Sequence, residues 1–225
     1  MANPILVLNF KTYREANNSN ALRLSEIAYK IAKKHKLKIV VAPQFHDLEK
    51  ISKFKKTIKI FAQHVDIFKP GAHTGSVIVE NIKKYIDGFF INHSERKLSL
   101  KEIKQRIDLA KNHNLIDLVF VPTPVFAKKV ALFRPRWIAI EPPELIGTGI
   151  SVSKAKPDVI IKSLNLVKKV DKWIKVLCGA GISNEEDVRK ALELGSEGVA
   201  IASAFVKSKK PKHFLEKIVK VLKEF

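Results

Sequence analysis

Residues 88–110 read GFFINHSERKLSLKEIKQRIDLA and contain one complete predicted strand–loop–helix unit. The unbroken apolar run that begins at Gly88 is typical of a strand buried on both faces. Ser99 and Glu102 have the spacing of a capping box, which predicts the first turn of a helix. Apolar residues then recur every three or four positions, so this helix should bury one face.

The same unit recurs along the whole chain. Eight apolar runs are predicted as strands: Ile5–Asn9, Lys38–Ala42, Thr57–Ala62, Gly88–Asn92, Leu115–Val121, Trp137–Glu141, Lys175–Cys178 and Gly198–Ala202. Amphipathic helices are predicted between them. The alternation predicts an α/β protein, a single (β/α)₈ barrel. Because no linker or composition break divides the chain, we expect one domain over residues 1–225.

Two further helix starts can be read from the sequence. Pro157 suits the first turn of a helix, where its missing N–H leaves no hydrogen bond unmade. Ser183 and Glu186 repeat the capping-box spacing and predict a helix that begins after Ser183.

A doubly wound sheet is the competing architecture. Its dinucleotide-binding fingerprint would follow the first strand, where this chain has Asn9-Phe10-Lys11 and no glycine. Gly179-Ala180-Gly181 follows the seventh predicted strand and lacks the third glycine of that motif. We therefore interpret it as a phosphate-binding turn.

Four polar residues stand at or just beyond the ends of predicted strands: Asn9, Lys11, His93 and Glu141. In a barrel the carboxyl ends of all strands meet at one mouth, so these side chains should converge. A carboxylate can remove a carbon-bound proton, a neutral imidazole can donate to a carbonyl, and an ammonium can stabilise developing negative charge. Taken singly, each residue has an ordinary explanation as a surface or structural group.

The His93 imidazole is expected to be neutral, because the run Ser94-Glu95-Arg96 predicts a helical turn whose N-terminus disfavours the charged form. Two glycine-rich turns, Gly147-Thr148-Gly149 and Gly179-Ala180-Gly181, could present backbone N–H groups to one phosphate. Ala202-Ser203 ends the eighth strand, where a short helix often completes such a site.

The composition limits the other function classes. The chain carries 42 basic and 22 acidic residues, a net charge of +20, but its lysines are spread along the whole sequence. This distribution favours a solvated surface over a nucleic-acid site, and we expect no specific nucleic-acid partner. The single cysteine, Cys178, lies in an apolar run and is interpreted as a core residue. No metal-ligand spacing, membrane span or signal peptide is recognised, so we expect a cytoplasmic protein without a metal or membrane partner.

Together the motifs resemble the triosephosphate isomerase family over essentially the whole chain. Asn9-x-Lys11 resembles the first-strand motif of the family, and His93-Ser94-Glu95-Arg96 resembles its specific histidine segment. Glu141-Pro142, followed by Ile146-Gly147-Thr148-Gly149, resembles its catalytic glutamate and mobile loop. Residues 63–75 resemble its interdigitating subunit-contact loop.

The resemblance implies the interconversion of dihydroxyacetone phosphate and glyceraldehyde 3-phosphate in glycolysis and gluconeogenesis, without a metal or organic cofactor. It implies that Glu141 is the base, that His93 is the electrophile and that Lys11 stabilises charge. The implied substrate-binding residues are Asn9, Phe10, Lys11, Ile146, Gly147, Gly181, Ala202 and Ser203. Glu95 is expected to position or neutralise Lys11.

Several segments depart from the usual family pattern. The loop after Glu141 reads Pro142-Pro143-Glu144-Leu145, and Ala202-Ser203 replaces a glycine pair. These departures resemble the compact archaeal branch, which implies a homo-oligomer and favours a tetramer over a dimer. The alternatives are another phosphate-binding barrel enzyme, and a protein without catalytic activity that uses its +20 charge to bind nucleic acid.

Overall fold

The computed structural model describes residues 4–142 and 152–225. Eight parallel strands form a closed barrel in chain order. They are β1 Ile5–Asn9, β2 Lys38–Ala42, β3 Lys59–Ala62, β4 Gly88–Ile91, β5 Ile116–Val121, β6 Trp137–Ile140, β7 Lys175–Cys178 and β8 Gly198–Ile201. The predicted (β/α)₈ fold is confirmed, and the closed barrel excludes a doubly wound sheet.

Helices surround the barrel in the described ranges. They are α1 Ser19–His35, α2 Leu48–Ile51, α3 Val79–Ile82, α4 Leu100–Asn112, α5 Pro124–Ala131, α6 Val152–Ala155, α7 Pro157–Val170, α8 Glu185–Glu193, α9 Ser203–Val206 and α10 Pro211–Leu222. The predicted strands were too long at several ends, mostly by one residue. Asn92 shows the reason: its φ of 59° ends β4 in a left-handed turn.

The helix starts follow the local sequence, with one correction. Ser99 and Glu102 form the predicted capping box at the start of α4, and Pro157 lies in the first turn of α7. The prediction that Ser183 caps the next helix is wrong by one residue. Asn184 is the N-cap, and its side chain accepts a hydrogen bond from Asp187 N–H at 3.0 Å. Asn is as good a cap as Ser, so the motif alone did not decide between them.

The inside of the barrel is filled by side chains of unequal size. Four aromatic rings pack in a row, with centroid separations of 5.5 Å for Phe61–Trp137, 6.1 Å for Phe61–Phe90 and 5.1 Å for Phe90–Phe120. Alanines on β2, β6 and β8 belong to the same inner cluster and leave space for these rings; they are Ala42, Ala139 and Ala200. The barrel is therefore a packed core, and a ligand can enter only at one of its ends.

A second and larger apolar layer lies between the barrel and the helices. Within the described residues, no helix is long and apolar enough to cross a membrane.

Candidate active site

The carboxyl ends of the strands enclose a cavity of about 280 Å³ that collects most of the predicted site residues. Asn9 ends β1, Lys11 follows it by two residues, and His93 follows β4 by two. Glu141 comes directly after β6. All four line the cavity, together with Gly181, Ala202 and Ser203. Residues separated by more than one hundred positions are brought together because all strands run in the same direction.

Three predicted substrate-binding residues are not placed in this cavity. Ile146 and Gly147 lie outside the described residues, as do Thr148 and Gly149. Phe10 is fully buried in the layer between barrel and helices, where its ring lies 6.3 Å from that of Phe205. Its side chain therefore anchors the start of the β1 loop.

The Lys11 ammonium is held by its surroundings in a fixed position. Its backbone has a φ of 45°, which is unusual for a residue with a Cβ. Lys11 N–H donates to Asn9 Oδ1 at 2.9 Å, and Gln63 Nε2 donates to the Lys11 carbonyl at 2.9 Å. Lys11 Nζ donates to Glu95 Oε1 at 2.7 Å, as expected for the positioning role of Glu95. These contacts point a cation into the cavity.

The His93 imidazole is neutral, with its proton on Nε2. Burial lowers the pKa of His93 to about 4, although the charge on Glu95 acts in the opposite direction. Nδ1 accepts a hydrogen bond from Glu95 N–H at 3.2 Å, and an N–H group can only donate. Nδ1 is therefore unprotonated, and Nε2–H is available to an acceptor in the cavity.

The predicted cause of this neutrality was wrong. Residues 94–96 form a turn closed by Arg96 N–H and the His93 carbonyl at 2.7 Å, and α4 begins only at Leu100. Burial, and not a helix N-terminus, keeps the ring uncharged.

The Glu141 carboxyl group is buried beside this imidazole. Its Oε1 lies 3.4 Å from His93 Nε2, and its Oε2 accepts from Ser94 N–H at 3.4 Å. Burial raises the pKa of Glu141 to about 7, while the Ser94 N–H and Lys11 oppose that rise. A carboxylate with a pKa near neutrality is well matched to act as a general base.

The far side of the cavity is made of backbone and small side chains. Gly181 has a φ of 70°, which glycine adopts without strain. Gly179 lies against β6: a Cβ there would come within 3.3 Å of both the Ala139 Cβ and the Ile140 carbonyl. Helix α9 begins at Ser203, and the first N–H groups of any helix lack partners within it. This side suits an anion such as a phosphate.

Sequence reasoning missed three contributors to the site. Gln63 braces Lys11, the Ser94 backbone holds Glu141, and Tyr13 lines the cavity. Gln63 directly follows β3, so the rule that strand-end polar residues face the mouth could have found it. Ser94 acts through its backbone N–H, which no side-chain pattern reveals.

The described residues contain no group of three or more His, Cys, Asp or Glu residues that could hold a metal ion. Cys178 is fully buried, and burial raises the pKa of its thiol to about 12, so it stays protonated. The groups available to a ligand are thus a buried carboxylate, a neutral imidazole, an ammonium and a glycine-rich anion site. The fold and the site define a barrel isomerase that moves a proton beside the carbonyl of a small phosphorylated compound.

Comparison with known proteins identifies the family. The family model described as triosephosphate isomerase matches residues 4–222. The triosephosphate isomerase of Methanothermus fervidus is 42% identical over 97% of this chain and 99% of its own. Those of Methanobrevibacter smithii and Methanocaldococcus jannaschii are each 43% identical, over 99% and 97% of this chain and 100% of their own. The chain belongs to the triosephosphate isomerase family, and it is an isomerase.

Proposed function

We propose that the cavity interconverts dihydroxyacetone phosphate and D-glyceraldehyde 3-phosphate, with Glu141 as the general base. The observation that carries this assignment is the 3.4 Å approach of the Glu141 carboxylate and His93 Nε2 inside a buried cavity. One group takes a proton from carbon, and the other stabilises the oxygen that becomes negative.

In the direction from dihydroxyacetone phosphate to glyceraldehyde 3-phosphate, Glu141 removes a proton from the hydroxyl-bearing carbon next to the substrate carbonyl. The electron pair of that C–H bond forms the carbon–carbon double bond of an enediolate. His93 Nε2–H donates to the oxygen that gains charge, and Lys11 Nζ adds a positive charge beside it. The proton of the neighbouring hydroxyl group passes to this charged oxygen, so that the old hydroxyl becomes the new carbonyl and the old carbonyl becomes a hydroxyl. Glu141 returns its proton to the former carbonyl carbon, which completes the aldose–ketose exchange. This division of roles is the established one in the family.

The remaining site residues bind the substrate in this proposal. Asn9 and Lys11 contact its oxygens, while Gly181, Ala202 and Ser203 hold its phosphate. Ile146 and Gly147 belong to the same phosphate site by resemblance alone. Energy from binding this non-reacting group can be used to orient the reacting carbon against Glu141. No cofactor is required for the step, because every proton and charge is handled by these side chains.

The assignment is tested by a coupled assay of dihydroxyacetone phosphate formation from glyceraldehyde 3-phosphate, with the wild type beside Glu141→Gln. Glutamine fills the same space but cannot accept the proton, so we expect kcat to fall on the order of 10³-fold or more. Near-normal turnover in a folded Glu141→Gln protein would exclude Glu141 as the base. A folded wild type without turnover would exclude the reaction.

We also propose that the enzyme is a homo-oligomer in which residues 63–75 of one copy dock on another. Phe68 and Ile67 are exposed on this segment, and the His73 ring is stacked on Phe68 at 4.3 Å. A second cavity of about 330 Å³ lies beside the candidate active site, lined by residues that include Lys11, Glu95 and Gln63. A two-fold pair in which each segment fills the cavity of the other copy would cover both surfaces.

A tetramer needs a second contact, and helix α5 offers one. Val125 lies in α5, and Leu132, seven positions further on, is the C-cap of this helix; their side chains are 65% and 63% exposed. Large apolar side chains so exposed often mark a protein–protein contact. Light scattering should give a tetramer for the wild type and a dimer for Leu132→Asp, with activity retained. If the wild type is already a dimer and Leu132→Asp does not change its oligomeric state, α5 does not form the second contact.

The cytoplasmic location remains part of the proposal, because phosphorylated trioses are charged and do not diffuse out of the compartment in which they are made.

A further inference from the structure

The two ends of the barrel carry different charge. We define the barrel floor as the segments that lead into β2 to β8: residues 36–38, 55–59, 83–87, 111–117, 133–136, 171–175 and 195–197. They contain twelve basic residues against four acidic ones. Among the described residues, the segments that follow the strands at the catalytic end contain eight basic residues against five acidic ones; these segments are residues 10–18, 43–47, 63–78, 92–99, 122–123, 141–142, 179–184 and 202–210. The barrel floor therefore carries a large part of the positive charge.

The basic residues of the barrel floor come from six of its seven segments. They are Lys36, Lys38, Lys55, Lys56, Lys59, Lys83, Lys84, Lys111, Arg134, Arg136, Lys172 and Lys175. All except Lys55 and Lys175 are exposed. Along the sequence they look evenly spread, and only the parallel barrel brings them to one end.

The four acidic residues of the barrel floor are used for structure. Asp117 is buried and accepts from Arg136 N–H at 2.9 Å. Asp87 accepts from Ile60 N–H at 3.0 Å, and Glu197 accepts from Val176 N–H at 3.1 Å. Each of these carboxylates ties one strand entrance to the next.

The fourth carboxylate, Asp171, and two of the three just described make further contacts. Asp171 Oδ1 accepts from Trp173 N–H at 2.9 Å. Asp87 and Glu197 each hold one lysine of the barrel floor, at 3.1 Å for Lys59 and 2.7 Å for Lys175. Lys111 Nζ donates to the Phe133 carbonyl at 2.8 Å, and the barrel floor has few acidic residues to balance the charge of its bases.

Two ordinary explanations do not account for this surface. Bases at the C-terminal end of a helix complement its dipole, but among the twelve barrel-floor bases only Lys36, Lys83 and Lys111 lie in the last turn or at the C-cap of an α-helix. Thermostabilising surfaces interleave both signs of charge in ion-pair networks, whereas here the acidic partners are few. A second copy of the chain is also a poor occupant, because two such faces repel each other.

An exposed tryptophan lies within the barrel floor. Trp173 is 77% exposed, and Lys172 Nζ lies 5.2 Å from the centre of its ring. Arg136 belongs to the neighbouring segment, since Lys175 N–H donates to the Arg136 carbonyl at 2.9 Å. An accessible aromatic face among bases is the arrangement by which proteins stack a nucleobase while neutralising its phosphates.

We propose that the barrel floor binds single-stranded nucleic acid without sequence preference, with Trp173 stacking on a base and the surrounding Lys and Arg residues contacting phosphates. RNA and single-stranded DNA share the chemistry that this surface recognises. The active site lies at the opposite end of the barrel, so the enzyme can bind substrate and nucleic acid together.

The test is fluorescence anisotropy with labelled oligouridylate and oligothymidylate, each about 20 nucleotides long, titrated with the full-length enzyme at salt concentrations from about 50 to 200 mM. We expect the logarithm of affinity to fall linearly with the logarithm of salt, with a slope of about −3 for four phosphate contacts. Trp173→Ala should weaken binding about 5- to 150-fold.

Two triple variants separate a local site from general charge. Lys38→Gln/Lys56→Gln/Arg136→Gln neutralises the barrel floor and should make the slope shallower by about 2, because three contacts are lost. Lys101→Gln/Lys162→Gln/Lys212→Gln removes the same charge from exposed helix positions and should leave the slope within about 0.5 of the wild type. Isomerase activity reports that each variant is folded.

Tighter binding of oligouridylate would identify RNA as the ligand, and tighter binding of oligothymidylate would identify single-stranded DNA. The proposal is overturned if neither binds at about 50 mM salt. If the two triple variants weaken oligonucleotide binding equally, binding depends only on the net charge of the protein, and the proposal is overturned. Duplex DNA binding as tightly as single strands, with Trp173→Ala unaffected, would remove the stacking role. Preference for vesicles of anionic lipid would assign the surface to a membrane.

Discussion

At the residue scale, the site works because burial sets the charge of two neighbouring groups. Burial disfavours the charged form of either group, so the pKa of Glu141 rises and that of His93 falls. At neutral pH the imidazole is uncharged, while the carboxyl group is close to half ionised. The pair thus supplies a base and a hydrogen-bond donor without forming an ion pair that would neutralise both.

The pH dependence of catalysis should report the pKa of Glu141. Only the ionised carboxylate accepts a proton, so kcat/KM should rise with pH up to about 7 and level off above it. Below pH 6 it should fall about tenfold per unit. Because the substrate phosphate also titrates, the carboxyl group should be followed directly by carbon NMR in the substrate-free protein. The Glu141 resonance is the one that disappears in Glu141→Gln. A titration midpoint near 4.5 for this resonance would contradict the prediction.

A second residue-scale prediction concerns Gln63, which acts on substrate through Lys11. Its Nε2 donates to the carbonyls of Lys11 and Ala42, at 2.9 Å and 3.1 Å. Gln63→Met keeps the volume and removes both bonds, which releases Lys11 from its left-handed conformation. We expect KM to rise about 10- to 150-fold, because a displaced cation loses one charged contact worth about 1.5–3 kcal/mol.

Gln44→Met is the matched control, since Gln44 lines the same neighbouring cavity as Gln63. It should leave KM within about twofold. If Gln63→Met lowers the melting temperature but leaves KM unchanged, Gln63 has only a structural role.

At the scale of the elements, two strand entrances require glycine because neighbouring backbone comes too close. A Cβ on Gly198 would lie 2.3 Å from the Ile5 carbonyl, and one on Gly88 would lie 2.2 Å from that of Ile116. Real Cβ atoms essentially never come this close to backbone. The glycines therefore let β8 meet β1, and β4 meet β5, at the distance that closing the barrel requires.

Gly198→Ala should destabilise the fold by about 1–3 kcal/mol, because β8 must shift against β1. In a chain of this length that corresponds to a fall of about 2–12 °C in melting temperature. Lys101→Ala is the control, since Lys101 is exposed on α4, and it should change stability by less than about 0.5 kcal/mol. Equal effects of both substitutions in calorimetry would exclude the steric explanation.

At the scale of the whole molecule, the barrel tolerates an internal charge that lowers its stability. Asp117 is buried in β5, and one of its oxygens lacks a partner among the described residues. Burial raises the pKa of Asp117 from its ordinary value of 3.8 to about 6, although the Arg136 N–H bond opposes that rise. The unfolded chain therefore loses this proton at lower pH than the native protein.

The sign of the effect on unfolding follows from that difference. Below about pH 3 the group is protonated in both states and costs nothing. Between about pH 4 and 6 the unfolded chain has lost this proton while the native protein still holds it, so the free energy of unfolding decreases by up to about 3 kcal/mol and stays at the lower value above pH 6. Asp117→Asn should remove this decrease, since asparagine stays neutral and can still accept from Arg136 N–H.

Urea unfolding at fixed protein concentration, from pH 4 to 8, measures this difference. We expect Asp117→Asn to gain stability over the wild type as pH rises, and to keep that gain above pH 6. A stability difference that does not change with pH would contradict an ionisable, destabilising Asp117.

Much of this protein could be predicted from its sequence, and the reasons are local. Apolar runs of four to six residues, separated by amphipathic helices, are enough to predict a parallel sheet covered by helices. Four polar residues at strand ends indicated where the mouth would form. Ser99 and Glu102 determine the start of α4, because a capping box involves only neighbouring residues.

The tertiary structure alone decided the features that depend on residues far apart in the chain. The His93 proton is placed on Nε2 by the Glu95 N–H, and the pKa of Glu141 is set by burial. Gln63 reaches Lys11 across 52 positions, and the barrel floor gathers bases that look evenly scattered in the sequence. Local sequence determined which elements form, because hydrogen bonding and apolar periodicity act over a few residues. Protonation, strain and surface charge were decided by the closed barrel, because burial and electrostatic fields depend on every element that packs around a group.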